Sequence, residues 1–140
     1  TPVLALRDVS KSFGQTRALS GMTLALFPGE VHAIVGENGA GKSTMIKIMT
    51  GVHQPSAGTV EVDGKPVTLS GPRGARQAGV AAIYQEPMVF PDLDVAENIF
   101  ISATDLGLVQ NPGALRVRAR ALIDRIGMRL DVDRVASGLT

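Results

Sequence analysis

The sequence predicts an α/β fold, with an antiparallel strand subdomain in its front part and the start of a helical subdomain behind. Two features carry that expectation. A short apolar run at residues 31–35 leads into a glycine-rich turn and then a helical stretch, the strand–loop–helix order of α/β proteins. Strand-like patterning dominates residues 1–85 and capped helical patterning dominates residues 86–140, so a subdomain boundary is expected between them.

Each element has a local reason. Leu4, Leu6 and Val9 open an alternating stretch that reads as a strand. Leu19, Met22, Leu24 and Leu26 mark a second, stopped by Pro28 and Gly29. Residues 31–35, bounded by Glu30 and Gly36, have the continuous apolar character of a buried strand. Residues 42–50 read as a helix closed by Gly51. Residues 59–62 and 67–69 form a hairpin across Asp63, Gly64, Lys65 and Pro66. Pro72 opens a short helix to Gly79, and residues 80–84 are another buried strand. Pro87 and Pro91 then mark a loop. Asp94 and Glu97 have the spacing of a capping box, with Asp in the Ser/Thr role, and start a short helix towards Ile101. Asn111 and Pro112 suit the start of a longer helix. Its apolar stripe is Leu115, Ala119, Leu122 and Ile126, with Gly127 as the stop.

Composition bounds the function. With 140 residues, 44% apolar and 19% charged, the chain is a globular domain and not a disordered segment. Fourteen Lys and Arg against thirteen Asp and Glu leave +1, too balanced for a basic nucleic-acid coat. Arg116, Arg118, Arg120, Arg125 and Arg129 crowd one helical region, where a solvated face is the favoured reading. The absence of cysteine removes disulfides and thiolate metal sites and suits a reducing compartment. No apolar run approaches the ~20 residues of a membrane span, and the first residues lack a secretory leader. Thr1 is not a Met and no helical stop signal closes the chain, so a piece of a longer cytoplasmic protein is expected.

The chemistry lies in Gly36, Glu37, Asn38, Gly39, Ala40, Gly41, Lys42 and Ser43, which fit G-x-x-x-x-G-K-[ST], a phosphate-binding loop. Glycines allow the backbone to turn successive N–H groups inward as a nest for phosphate oxygens. The helix opening at Lys42 adds the positive end of its dipole. Lys42 would reach the β- and γ-phosphates, Ser43 would ligate Mg²⁺, and Thr44 can bond the α-phosphate side. A chance match in so glycine-rich a chain is on the order of 1%, and the strand before and helix after reduce it further. No Asn-Lys-x-Asp element for guanine is present. A small-molecule kinase stays open, although no arginine-rich lid is evident.

With these residues in view, the chain resembles the nucleotide-binding domain of ATP-binding cassette (ABC) transporters along nearly its whole length. The run from Val35 to Thr44 is close to that family's phosphate loop. Ser12, Phe13 and Gly14 look like the element whose aromatic ring stacks on adenine, a contact with little demand on hydrogen-bond geometry. Ile83, Tyr84, Gln85, Glu86 and Pro87 resemble the Q-loop. The resemblance implies that the Gln85 amide touches Mg²⁺ and the attacking water, and that the loop couples the ATP site to membrane subunits. The implied set is Lys42 and Gln85 in catalysis, Ser43 and Gln85 on Mg²⁺, and Phe13 with residues 36–44 on ATP. The stretch from Phe90 to Phe100, following Tyr84 to Pro87, is similar to ATPases of bacterial importers for ribose, galactose and xylose-like sugars. In that subfamily one polypeptide usually carries two cassettes, and this chain looks like the N-terminal one.

The resemblance also implies partners: transmembrane permease subunits, a periplasmic sugar-binding protein and a second nucleotide-binding domain, at the cytoplasmic face of the inner membrane, with no nucleic acid. Other family parts are absent from these 140 residues. No four apolar residues precede an Asp-Glu pair, and neither the Leu-Ser-Gly-Gly-Gln signature nor the switch histidine is found. His32 reads as structural, and His53 stands at the wrong place for the switch. The expectation is therefore an ATPase as the full-length protein, with this piece a weak binder, inactive alone and prone to association. A soluble ABC ATPase acting on nucleic acid or ribosomes is the second reading, and a P-loop kinase the third.

Overall fold

The computed structural model describes residues 1–83, 88–101 and 111–139. It divides into two compact units, Thr1–Ile83 and Tyr84–Thr140.

The first unit is built on a four-stranded antiparallel sheet of order β2-β1-β3-β4. Its strands are β1 (Leu4–Phe13), β2 (Thr16–Leu26), β3 (Ala57–Val62) and β4 (Lys65–Val67). β1 and β2 register Leu4 against Leu26 and Phe13 against Thr16, so Gly14 and Gln15 form the hairpin tip. β3 and β4 are joined more tightly than the sequence suggested. Asp63 and Gly64 take positive φ of 50° and 75°, a two-residue turn whose twist matches the flanking strands. β4 therefore begins at Lys65 instead of residue 67, and Pro66 is tolerated because β4 is an edge strand. Two helices complete the unit, α1 (Lys42–Met49) and α2 (Gly71–Gln77). Met45, Ile48 and Met49 of α1 share one core with Leu6, Val9 and Leu19 of the sheet. Burying a side chain such as Ile48 or Leu6 contributes about 1.5–3 kcal/mol.

The two buried strands expected at residues 31–35 and 80–84 are not formed among the described residues. Residues 31–35 and 80–83 join no ladder, and Val31 and Ile83 are fully exposed; residue 84 lies outside the described residues. An apolar run supplies the side chains for a buried strand but not the neighbour whose backbone completes it. Ile34 and Val80 still pack against the core, so each segment is partly anchored.

The second unit contains α3 (Val95–Phe100) and α4 (Pro112–Arg125). The capping box forms as expected: Asp94 Oδ1 accepts from the Glu97 N–H at 2.7 Å, and Glu97 Oε2 accepts from the Asp94 N–H at 2.9 Å. Asn111 caps α4 by accepting from Gly113 N–H at 2.9 Å, with Pro112 in the first turn. The buried face of α4 is Leu115, Ala119 and Ile123, an i, i+4, i+8 ridge packed with Val95, Ala96 and Phe100 of α3. The sequence placed Leu122 and Ile126 there instead. Ile126 falls after the helix, and both are exposed. Residues 91–96 and 132–137 are sewn together, with Ala96 N–H donating to Val132 O at 3.1 Å and Ala136 N–H to Leu93 O at 3.0 Å.

Candidate nucleotide-binding site

The glycine-rich loop and α1 form a small cavity of about 230 Å³, lined by Ala18, Asn38, Gly39, Gly41, Lys42, Ser43 and Thr44. Pockets that enclose a drug-sized ligand run from roughly 300 to 1,000 Å³, so this one matches a chain of phosphates better than a whole nucleotide. Gly41 caps α1 in the left-handed region without a side-chain hydrogen bond, so among the described residues no side chain takes up the first N–H groups of the helix beside the cavity. Ser43 and Thr44 line the cavity, and their hydroxyls make no hydrogen bond among the described residues.

Lys42 bends back over the loop. Its Nζ donates to Gly36 O at 2.6 Å and to Glu37 O at 2.7 Å, which carries the ammonium at the cavity wall with one donor to spare. Glu37 O also accepts from Ala40 N–H at 3.2 Å, closing the loop into a turn. The residues read from the sequence as a phosphate loop, 36–44, are thus brought together in one structure. The donor set is cationic and hydroxylic, which fits a polyphosphate carrying a hard divalent cation.

Phe13 ends β1 and does not line this cavity. Phe13 is 45% exposed; its ring meets His53 edge-on at 5.1 Å between centroids, and the Lys11 ammonium lies 5.2 Å from the ring centre. Phe13 pairs with Thr16, two residues before Ala18 on β2, so about 7 Å of strand separates that pair from the cavity wall. Gln85 lies outside the described residues. His32 is bound by Glu30 at 2.7 Å. Sequence reasoning did not single out Ala18 in the cavity wall, nor the contacts of Lys11 and His53 with the Phe13 ring. A small residue on a strand carries no signal of its own, and His53 meets Phe13 across 40 positions.

The arginine-rich helix is less free than expected. Arg116 Nη2 donates to Asp94 Oδ2 at 2.8 Å and its Nε to Asp133, while Arg120 Nη2 donates to Asp133 Oδ2 at 2.9 Å. The hydrogen bond that Arg116 donates to Asp133, then the charges of Asp94 and Asp133, raise the Arg116 pKa beyond the ordinary arginine value against the opposing effect of burial. Arg118 stands 5.0 Å from the centre of the Phe100 ring.

A strand hairpin closed against a glycine-rich loop, with the loop lysine folded over the start of a helix, defines a P-loop nucleotide-binding protein. The family model described as ABC transporter matches residues 19–139, and the chain belongs to that family. It is 58% identical over 99% of its length to a ribose import ATP-binding protein, RbsA 1, of Streptomyces coelicolor, and 54% identical to RbsA 2 of Streptomyces avermitilis. It spans 28% of the length of those relatives. The fold is similar to a solved ATP-binding cassette of an ABC transporter, with a TM-score of 0.83 and 25% identity, covering 100% of this chain and 60% of that one. Among the described residues, no helix is long and apolar enough to cross a membrane.

Proposed function

We propose that this chain is the ATP-binding part of an ABC importer ATPase that powers uptake of a sugar, ribose foremost. The observation that carries the reading is the loop cavity, with Lys42, Ser43, Thr44 and the first N–H groups of α1 around it, in a chain so close to ribose import ATP-binding proteins. Lys42 exchanges one or both of its carbonyl partners for β- and γ-phosphate oxygens, and the helix N-terminus receives the same anion. Gly36, Glu37, Asn38, Gly39, Ala40 and Gly41 supply the backbone nest, and Thr44 bonds the α-phosphate side. Ser43 and Gln85 would hold Mg²⁺, which supplies charge neutralisation on the phosphate oxygens. Phe13 stacks on the adenine, and Gln85 orients the water.

Within these 140 residues no run of four apolar residues is followed by an Asp-Glu pair to polarise that water, so the chain by itself binds without turning over. The partners in this reading are permease subunits, a sugar-binding protein and a second cassette, with the assembly at the cytoplasmic membrane face. In this reading residues 1–85 belong to the nucleotide core and residues 86–140 to the helical part, within two residues of the boundary between the two compact units. The nucleic-acid reading would need a free arginine face on α4, and Arg116 and Arg120 are occupied by Asp94 and Asp133.

A titration of a fluorescent ATP analogue with Mg²⁺, on this chain and its Lys42→Ala variant with GTP as competitor, tests the site. Saturable binding lost in the variant is expected. Equal binding by both would overturn the assignment, as would multiple turnovers by this chain abolished by Lys42→Ala for the no-turnover claim.

A further inference from the structure

The contact between Phe13 and His53 joins two elements that the phosphate loop alone does not connect. His53 follows α1, and its N–H donates to Lys47 O at 3.0 Å, so its backbone is held on the end of that helix. The start of the same helix carries Lys42, Ser43 and Thr44. An eight-residue helix is about 12 Å long, so one rigid rod has phosphate donors at one end and His53 at the other. Phe13 is the last residue of β1, next to the hairpin tip, where a side chain on a residue 45% exposed would otherwise exchange rotamers freely. His53 is half-buried, and its plane meets the Phe13 ring at 68°, the edge-to-face arrangement that aromatic pairs favour.

We infer that His53 is a positioning residue for the base of the bound nucleotide: it holds the Phe13 ring in its stacking orientation and sets its distance from the phosphate loop through α1. The assignment rests on the reading of Phe13 as the ring that stacks on the base. His53 itself touches neither base nor phosphate in this scheme. Lys11, over the same ring, is a second and more flexible restraint.

The test is made in the full-length polypeptide with two probes, Mg-ATP and Mg-tripolyphosphate, which lacks a base. His53→Ala weakens ATP binding by about 3- to 10-fold, the value of a lost aromatic pair, and leaves tripolyphosphate binding unchanged. His53→Phe, which keeps an aromatic edge, restores ATP affinity to within about twofold. In a Phe13→Ala background, His53→Ala adds nothing further. The inference is overturned by an equal loss for both probes, by a full His53→Ala effect in the Phe13→Ala background, or by no effect of His53→Ala. If Phe13→Ala leaves ATP affinity intact, the stacking reading itself fails. If Phe13→Ala weakens ATP binding and His53→Ala does not, only the role of His53 falls.

Discussion

A β-carbon added at Gly41 would stand 2.6 Å from Leu19 Cδ2 and 2.7 Å from the Ala18 carbonyl oxygen, and the residue's φ of +88° is strained for any L side chain. The two constraints have one origin, because β2 is packed directly onto the loop at the start of α1. Gly41→Ala is therefore expected to lower stability by about 1–3 kcal/mol from overpacking alone, with strain added. Nucleotide binding should fall with it, since relief requires the strand to move off the cavity wall. Urea unfolding, with analogue titration on the same samples, checks both. Gly39 has nothing within 4 Å of such a carbon, so a substitution there meets only the cost of its φ of +87°. Gly39→Ala should be milder in stability than Gly41→Ala.

The second unit depends on how α3 is started. Asp94 is buried, yet one of its oxygens caps α3 and the other accepts from Arg116, which also reaches Asp133. Asn98 reinforces the same loop: its Nδ2 donates to Phe90 O and Asp94 O, each at 3.0 Å, and its Oδ1 accepts from Phe90 N–H at 2.8 Å. Asp94→Ala removes cap and ion pair together and is expected to cost about 1–2 kcal/mol for the cap alone. Asp94→Asn keeps an acceptor for the cap and removes only the charge, so it should cost less. Hydrogen exchange at the amides of residues 95–98 distinguishes the two variants. The raised pKa of Arg116 fixes the sign of its pH dependence. Its contribution is fully present below the unfolded arginine value and is lost only as pH rises through the still higher folded value. Unfolding followed between pH 6 and 9 should show no loss attributable to Arg116 titration.

In the first unit, the ends of β1 and β2, α1 and residues 78–83 surround an apolar groove of about 580 Å³. Leu26, Ile46, Met49 and Ile83 line it, and Val31 and Val35 are exposed elsewhere on the same unit. Exposed apolar surface of this kind favours association. The 140-residue chain should self-associate with rising concentration and bind an apolar dye. Sedimentation of the chain and of Ile83→Asp measures this, with the variant expected to remain smaller at equal concentration. Unchanged sedimentation would count against the exposed groove side as the cause.

The loop from Gly36 to Ser43, the Asp94–Glu97 box, the Asn111 cap and the existence of a hairpin about Asp63 and Gly64, though not the place of its second strand, were legible without any coordinates. Each depends on residues at most ten apart, whose backbone chemistry has few alternatives. The phosphate loop alone left the family open; family membership was legible because Ser12 to Gly14, Ile83 to Pro87 and Phe90 to Phe100 resemble the ABC ATPases together with that loop. Other features depend on partners far along the chain. Residues 31–35 and 80–83 have strand-like composition, but a ladder needs a neighbour, and periodicity does not supply one. The choice of Ile123 over Leu122 on α4 depends on where α3 and residues 130–132 pack. Asp94 with Arg116 and Asp133, and Phe13 with His53, are side chains 13 or more positions apart. Their contacts exist because folded elements hold them within a few ångströms, a proximity that no local rule of spacing contains.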